Sequence, residues 1–505
     1  ISPSEIVYVS FTKVAAKVAA NRAREKFPQY GESDFHYFST IHSICFHRLG
    51  LHRSDVFSDK ELPKFGEAYG YDFSSREAAV EDPFWQAIQD MTIATRADFF
   101  EAMYNYWRSS SLEIDDAIGI YTRRGMSFDF SRQEFYTYIA RRNEYKKKHN
   151  LYDFNDMLSE VIEGELYPLG MKVLIADECQ DNSYLLNQVI RYWVGKAERV
   201  YLAGDPYQCL YSWSSADPSL FINFRADITR TLKQSYRCPR TVHNLSRAIV
   251  QRFKTRYSDD DFLPRDAEGR INGKIDFDLN EEPTFWLFRT RYLLNQTFDH
   301  LYFNGVPFVT RRGKKNIFDP RKDKKRRVAS KLLRLPDESI TMAELANIIE
   351  YVPSRHNGSI MIERGTKKFV SEEAKVNPDG FVRWQDLLNL GFTLDFLKYT
   401  GSDLLELLNE REFPKEEKSY IRRLVGKYGL RILDTKPNLE LGTFHSAKGD
   451  EAVRVIIDPT YTRKPYSNFV DGDEEEHRLI YTAITRSSSD VVILLPSGPM
   501  YYPII

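Results

Sequence analysis

Two apolar runs that stop abruptly on polar residues constrain this chain more than any other feature. Val173-Leu174-Ile175-Ala176 runs into Asp177-Glu178-Cys179-Gln180-Asp181, and a second run ends in Gly204-Asp205-Pro206-Tyr207-Gln208. Short apolar runs of this kind read as buried parallel strands. In an open α/β sheet, ligands bind beyond the C-terminal tips of such strands. Asp177 and Glu178 therefore stand where a site belongs. One carboxylate could hold Mg²⁺ while the other orients and deprotonates a water, as a nucleoside triphosphatase requires. The plainer alternative is an acidic residue that merely caps the next helix.

The rest of the composition narrows the class. The 505 residues exceed what one hydrophobic core supports, so about three or four domains are expected. The net charge is −1 with 28% charged residues, so any nucleic-acid site must be a local patch rather than a global field. No apolar run is long enough to predict a membrane span. Most of the 33 Phe and 31 Tyr are expected to pack cores. Cys45, Cys179, Cys209 and Cys238 lack metal-ligand spacing, which predicts reduced thiols in a reducing, cytoplasmic compartment, with no disulfide framework and no zinc site. No signal sequence is visible, and Ile1 in place of Met reads as a trimmed start.

Periodicity predicts two α/β patterns. In the first, residues 6–10 read as a strand, Thr12 as an N-cap, and Val14, Ala15, Val18 and Ala19 as the apolar stripe of a helix to about Phe27. Residues 35–39 are strand-like, residues 80–145 read as mostly helical, and strands return at 172–177 and 199–205. The second pattern begins near Thr231, with strands at 285–288, 306–310, 439–443, 453–458 and 491–495 and a helix at 292–303. Between its halves, ten of the seventeen residues 311–327 are Lys or Arg. That run reads as a solvated loop, a duplex or phosphate contact, or an import-like signal. The segment that follows, to about 435, reads as largely helical.

Eight segments in order carry a resemblance. They are Ser10-Phe11-Thr12-Lys13-Val14-Ala15-Ala16, Ser39-Thr40-Ile41-His42-Ser43, Asp153-Phe154-Asn155-Asp156-Met157-Leu158, Asp177-Glu178-Cys179-Gln180-Asp181, and Gly204-Asp205-Pro206-Tyr207-Gln208 continued by Cys209-Leu210-Tyr211-Ser212-Trp213. Leu232-Lys233-Gln234-Ser235-Tyr236-Arg237, Thr443-Phe444-His445-Ser446-Ala447-Lys448-Gly449-Asp450-Glu451 and residues 476–486 complete the series. In order and spacing these resemble the motifs of superfamily 1 helicases of the UvrD/Rep/PcrA type. The resemblance implies an α/β chain of two RecA-like parallel-sheet domains, each with a mainly helical insertion. Domain 1A would span 1–80 and 146–230, insertion 1B 81–145, domain 2A 231–312 and 436–505, and insertion 2B 313–435.

The same resemblance implies roles. Asp177 would hold Mg²⁺, through water. Glu178 would align the attacking water, and Gln208 would touch the γ-phosphate and that water. Arg237 and Arg486 would be arginine fingers in a cleft between the domains. Tyr236 would stack on adenine, with Glu451 and Gly449 completing the nucleotide contacts. Phe11, Tyr211 and Trp213 would stack bases, and Thr40, His42, Thr443 and His445 would line the strand's path. ATP and Mg²⁺ are the implied cofactors. Single-stranded DNA and single/double-strand junctions are the implied partners, for a monomeric or weakly self-associating 3′–5′ translocase and helicase in DNA replication, repair or recombination.

Two departures stand out. No GxxxxGK[ST] phosphate loop occurs, and only nine residues precede Ser10, so that loop is expected upstream of Ile1. Ser214-Ser215-Ala216 stands where the family usually has Arg-Gly-Ala, which predicts the loss of one cationic strand contact. Two rival readings remain: a nucleic-acid-binding module with a silent nucleotide site, and a motor subunit of a larger repair or defence complex.

Overall fold

The computed structural model describes residues 1–74, 95–123, 129–254, 256–257, 262–311 and 313–504. They form two compact units. The first comprises Ile1–Leu232, Val250–Asp261 and Asp473–Tyr481, and the second Lys233–Ile249, Phe262–Gly472 and Thr482–Ile505. The expected insertion at 81–145 falls partly outside the described residues. Among the described residues, no helix is long and apolar enough to cross a membrane.

The first unit is built on four parallel strands: β1 (Ile6–Val9), β2 (Phe38–Ser39), β3 (Val173–Ala176) and β4 (Arg199–Leu202), in the order β2-β1-β3-β4. Parallel neighbours need crossovers, and helices supply them. Lys13–Lys26 joins β1 to β2, and Tyr184–Val194 joins β3 to β4. The register aligns the strand tips, because Ala176 pairs with both Val9 and Leu202. Asp177 N–H then donates to Val9 O at 2.9 Å and Ala203 N–H to Ala176 O at 2.8 Å. Val7, Val9, Leu174 and Ala176 pack on Ile44, Leu158, Val189 and Trp193 to form the core beneath those tips. A separate aromatic core (Phe65, Phe99, Phe100, Tyr104, Phe135, Tyr138) holds the helices Arg96–Ser109 and Arg132–His149.

Thr12 caps its helix as expected, its side chain accepting from Ala15 N–H. The expected apolar stripe does not face the core: Val14 is 57% exposed and Val18 43%. The helix packs instead through its alanines, with Ala16 buried, since small side chains let it lie close to the sheet. β4 is an edge strand whose Tyr201 is 57% exposed.

The second unit contains a six-stranded sheet in which every pairing is parallel. Its strands, with the short ones between them, run β5 (Gln234–Pro239), β6 (Leu263–Arg265), β7 (Arg270–Asn272), β8 (Thr284–Phe288), β9 (Val309–Thr310), β10 (Ile340–Thr341), β11 (Arg355–His356), β12 (Ser359–Ile360), β13 (Phe381–Val382), β14 (Leu439–Thr443), β15 (Ala452–Ile457) and β16 (Ser487–Ile493). The sheet order is β7-β16-β15-β8-β14-β9, with β5 and β6 paired apart. Between β9 and β14 lies a mainly helical segment that includes Asp323–Arg334, Met342–Tyr351, Thr366–Val376 and Lys415–Tyr428. One core runs from Phe288, Leu439 and Leu441 of the sheet to Leu332, Ile348 and Leu424 of that segment. The chain is thus mixed α/β with parallel sheets, as RecA-like domains are.

The basic run 311–327 is not a bare cationic loop. Lys314 pairs with Asp299, Lys322 with Glu417, Lys324 with Glu350, Lys325 with Glu412, and Arg326 with Asp323. Its second half is the start of the helix Asp323–Arg334. Arg312 lies outside the described residues.

Candidate functional site

The carboxylate pair stands at the centre of the first sheet. Asp177 accepts twice: Oδ2 from the Tyr8 hydroxyl at 2.9 Å and Oδ1 from Glu178 N–H at 2.9 Å. Burial pushes the Asp177 carboxyl up, and the neighbouring Glu178 charge pushes it further, against the Tyr8 hydrogen bond. Glu178 is held in the left-handed region at φ 57°, a conformation that costs a non-glycine residue energy and that clusters at functional sites. The strain re-aims the chain directly after β3.

Gln180 ties this tip to the next one. Its Nε2 donates to Glu178 Oε2 at 2.5 Å and its Oε1 accepts Asp205 N–H at 3.0 Å. Gln180 is fully buried. The approach is so close that a Cβ on Gly204 would stand 2.5 Å from Gln180 Oε1, so only glycine fits there. Asp205 then orients Gln208: its Oδ2 accepts Gln208 Nε2 at 2.7 Å and the Tyr481 hydroxyl at 3.2 Å. Burial raises the Asp205 carboxyl, and these donors and Tyr207 N–H oppose that rise. Asp177, Glu178, Gln180, Asp205 and Gln208 form one hydrogen-bonded chain across two strand tips.

In the second unit, Arg237 Nε donates to Glu451 Oε2 at 2.6 Å. Glu451 follows Gly449, whose φ of 88° is open to glycine and strained for other residues. Tyr236 is 86% exposed. Arg486 is buried, and its guanidinium donates to Thr482 O at 3.0 Å and to Thr485 Oγ1 at 3.2 Å. Arg311, first residue of the basic run, packs over the Phe285 ring at 4.2 Å and donates to Ser446 O and Asp450 Oδ2, both at 2.7 Å. It braces the loop that carries Gly449 and Glu451.

The two Thr-x-His-Ser segments share a local design. Thr40 Oγ1 accepts Ser43 N–H, and Thr443 Oγ1 accepts Ser446 N–H, both at 3.3 Å. Each threonine oxygen caps its own turn, leaving the hydroxyl proton for another acceptor. His42 is buried edge-on to Phe154 at 5.6 Å, and burial, with Lys13 adding to it, pulls its pKa down to about 3. His42 is therefore a neutral imidazole and not a cationic phosphate contact. His445 opens the turn His445–Ala447 after β14. Phe11 and Tyr211 stack on each other, 4.8 Å apart and 14° from parallel, and both are buried. Trp213 lies in the adjoining turn Ser212–Ser214, and its side chain is outside the described residues.

Residues 1–229 match the UvrD/REP helicase N-terminal domain. The first 229 residues thus resemble the UvrD-type superfamily 1 helicases, and similarity to named DNA helicases extends over the whole chain. The chain is 22% identical to a probable DNA helicase II homolog of Mycoplasma pneumoniae, over all of this chain and 79% of that protein. It is 20% identical to the ATP-dependent DNA helicase PcrA of Staphylococcus aureus, over 99% of this chain and 78% of that one. The putative ATP-dependent DNA helicase YjcD of Bacillus subtilis is 24% identical over 35% of this chain, a match covering 27% of YjcD. Some relatives are thus matched over barely a quarter of their length and others over nearly four fifths.

Several residues of this site escaped sequence reasoning. Tyr8, Gln180, Asp205 and Tyr481 all bond the carboxylate-to-glutamine chain. Gln180 and Asp205 sit inside the two motifs and could have been singled out as polar residues at strand tips. Tyr481 sits inside the last motif, 476–486, but was given no role there, and Tyr8 lies in an ordinary strand pattern.

Proposed function

We propose that the protein is an ATP-driven motor on single-stranded DNA that translocates 3′ to 5′ and opens duplexes at junctions. The observation that carries this is the continuous hydrogen-bonded chain from Asp177 and Glu178 through Gln180 to Asp205 and Gln208. A carboxylate that can take a water proton and an amide that can touch a phosphate are thereby coupled. In this reading Glu178 aligns the attacking water, and Gln208 senses the γ-phosphate. Arg237 and Arg486 stabilise charge on the transferred phosphoryl group. Tyr236 stacks on adenine, with Glu451 and Gly449 beside the ribose. The names of the PcrA and helicase II relatives support ATP and DNA as the ligands; polarity rests on resemblance. The fourfold 1A, 1B, 2A and 2B division belongs to the same proposal.

Asp177 suits Mg²⁺ chemically. It offers hard oxygen donors; burial first, and then the adjacent Glu178 charge, raise its pKa, and a dication would offset that penalty on its charged form. Among the described residues no group of three or more His, Cys, Asp or Glu is arranged to hold a metal. A magnesium ion needs only one or two carboxylates beside water and phosphate oxygens. When bound, Mg²⁺ would neutralise phosphate charge. The nucleic-acid contacts proposed are Phe11, Tyr211 and Trp213 for base stacking and Thr40, His42, Thr443 and His445 along the backbone. His42 would act there as a neutral donor.

The test is directional translocation. A fluorophore at either end of an oligonucleotide reports arrival of the motor. ATP-dependent arrival at the 5′ end supports the reading, and arrival at the 3′ end or no movement overturns it.

A further inference from the structure

Ser215 occupies the left-handed region, with φ 66° and ψ 17°, a conformation that a β-carbon disfavours. It stands where the resembling helicases usually carry glycine, so this chain has placed a side chain where the backbone argues against one. That side chain has a partner. Ser215 Oγ lies 2.7 Å from Ser109 Oγ, and Ser109 is the buried last residue of the helix Arg96–Ser109. The Ser109 hydroxyl has one proton, and the nearest carbonyl is Tyr106 O at 3.1 Å. Ser214 O is a second acceptor at 3.4 Å, and in the Ser109–Ser215 pair either hydroxyl can donate.

The turn so held is closed on Tyr211. Ser214 N–H at 2.9 Å, Ser214 Oγ at 2.8 Å and Ala216 N–H at 3.2 Å all donate to Tyr211 O. Ala216 also bridges to Ser183. The Tyr211 ring lies flat on Phe11. The helix that presents Ser109 is itself immobilised: Arg108 pairs with Asp156 at 3.3 Å, and Glu101 pairs with Arg142 at 2.8 Å. A buried ionic frame thus ends at Ser109, whose hydroxyl meets Ser215 Oγ and Ser214 O in the turn carrying Tyr211.

We infer that Ser109 and Ser215 form a clamp that positions the Phe11–Tyr211 ring pair for nucleobase stacking. The inference rests on the proposed stacking role of those rings. Ser109 and Ser215 are positioning residues: they act through Tyr211.

The test measures binding of a fluorescent oligo-dT by the full-length protein, with a thermal melt for each variant. Tyr211→Ala is expected to weaken binding by about five- to a hundredfold, the range for loss of a base–aromatic stack. Ser109→Ala and Ser215→Gly are each expected to weaken it by about two- to tenfold, as one hydrogen bond allows. The double variant should be no weaker than Ser109→Ala alone, since that variant already removes the hydroxyl pair. Ser215→Gly should melt no lower than the parent, because glycine adopts this φ without penalty; its lost affinity cannot then be attributed to misfolding. If Tyr211→Ala weakens binding while both serine variants bind like the parent, the clamp is wrong. A lowered melting point at unchanged affinity overturns it as well, by showing a merely structural contact. If Tyr211→Ala itself binds normally, the stacking reading fails and the clamp falls with it.

Discussion

Glu178 and Gln180 lie two positions apart at one strand tip, yet they face different tests. Glu178→Gln keeps size and hydrogen-bonding reach but cannot take a proton. Turnover of ATP is expected to fall by at least about a hundredfold, the lower range for loss of a general base, while oligo-dT binding stays at the parent value. Steady-state hydrolysis and anisotropy measure the two. Gln180→Ala instead removes the acceptor for Asp205 N–H and the donor to Glu178. It is expected to destabilise the first unit by about 1–3 kcal/mol, the range for stranding a buried polar group, measurable by urea unfolding. It should also lower turnover, since Gln208 is oriented through Asp205. The sequence reads clearly at this scale where chemistry and position coincide: Asp177 and Glu178 end an apolar run. It reads poorly where a side chain acts from a distance. Tyr8 sits 169 residues before Asp177, and nothing local to a strand tyrosine announces that bond. The exposed Val14 and Val18 show the converse, because helical spacing defines a stripe without saying whether valine or alanine meets the sheet.

Between elements, the first unit depends on charges taken out of water. Arg142 donates to Glu101 and to Asp153, and Lys146 donates to Asp153 and Asp156. This joins the helices Arg96–Ser109, Arg132–His149 and Phe154–Glu163. Asp153 and Asp156 were legible as part of a motif, but their partners were not, since Glu101 and Arg142 look like ordinary surface residues of polar helices. Arg142→Met should destabilise the unit by about 3–5 kcal/mol, because it leaves Glu101 and Asp153 short of a buried counter-charge; denaturant titration checks it. Burial alone would raise the Asp153 carboxyl, but Arg142, Lys146 and Arg108 outweigh it and hold it well below the usual carboxylate range. A depressed carboxylate contributes stability that is present above its unfolded pKa, about 3.9, and lost as pH falls below that. His42 acts earlier on the scale. It is neutral in the fold, with its pKa lowered to about 3, while the unfolded imidazole takes up a proton near about 6.5. Stability should therefore decline from about pH 6.5 downward. His42→Phe should flatten the slope between pH 6.5 and 4, measured as melting point against pH.

At the level of the whole molecule, the order of motifs along the chain was enough to expect two parallel-sheet bodies interrupted by helical segments, because strand tips and turn chemistry are local patterns. Which residues each body recruits was not local. Val250–Asp261 and Asp473–Tyr481 join the first unit although the sequence around them belongs to the second, and Tyr481 reaches Asp205 as a result. The basic run shows the same limit. Ten cations in seventeen residues left a solvated loop, a duplex or phosphate contact and an import-like signal open, whereas Arg311, Lys314, Lys322, Lys324 and Lys325 face acidic partners that come from elsewhere in the second unit. Neutralising Lys324 and Lys325 together is therefore expected to leave oligo-dT affinity unchanged. The most direct test of the whole account is steady-state ATP hydrolysis by the full-length protein with and without single-stranded DNA. Turnover is expected to be stimulated by the DNA and abolished by Glu178→Gln. Turnover that is indifferent to DNA, or that survives Glu178→Gln, would contradict it.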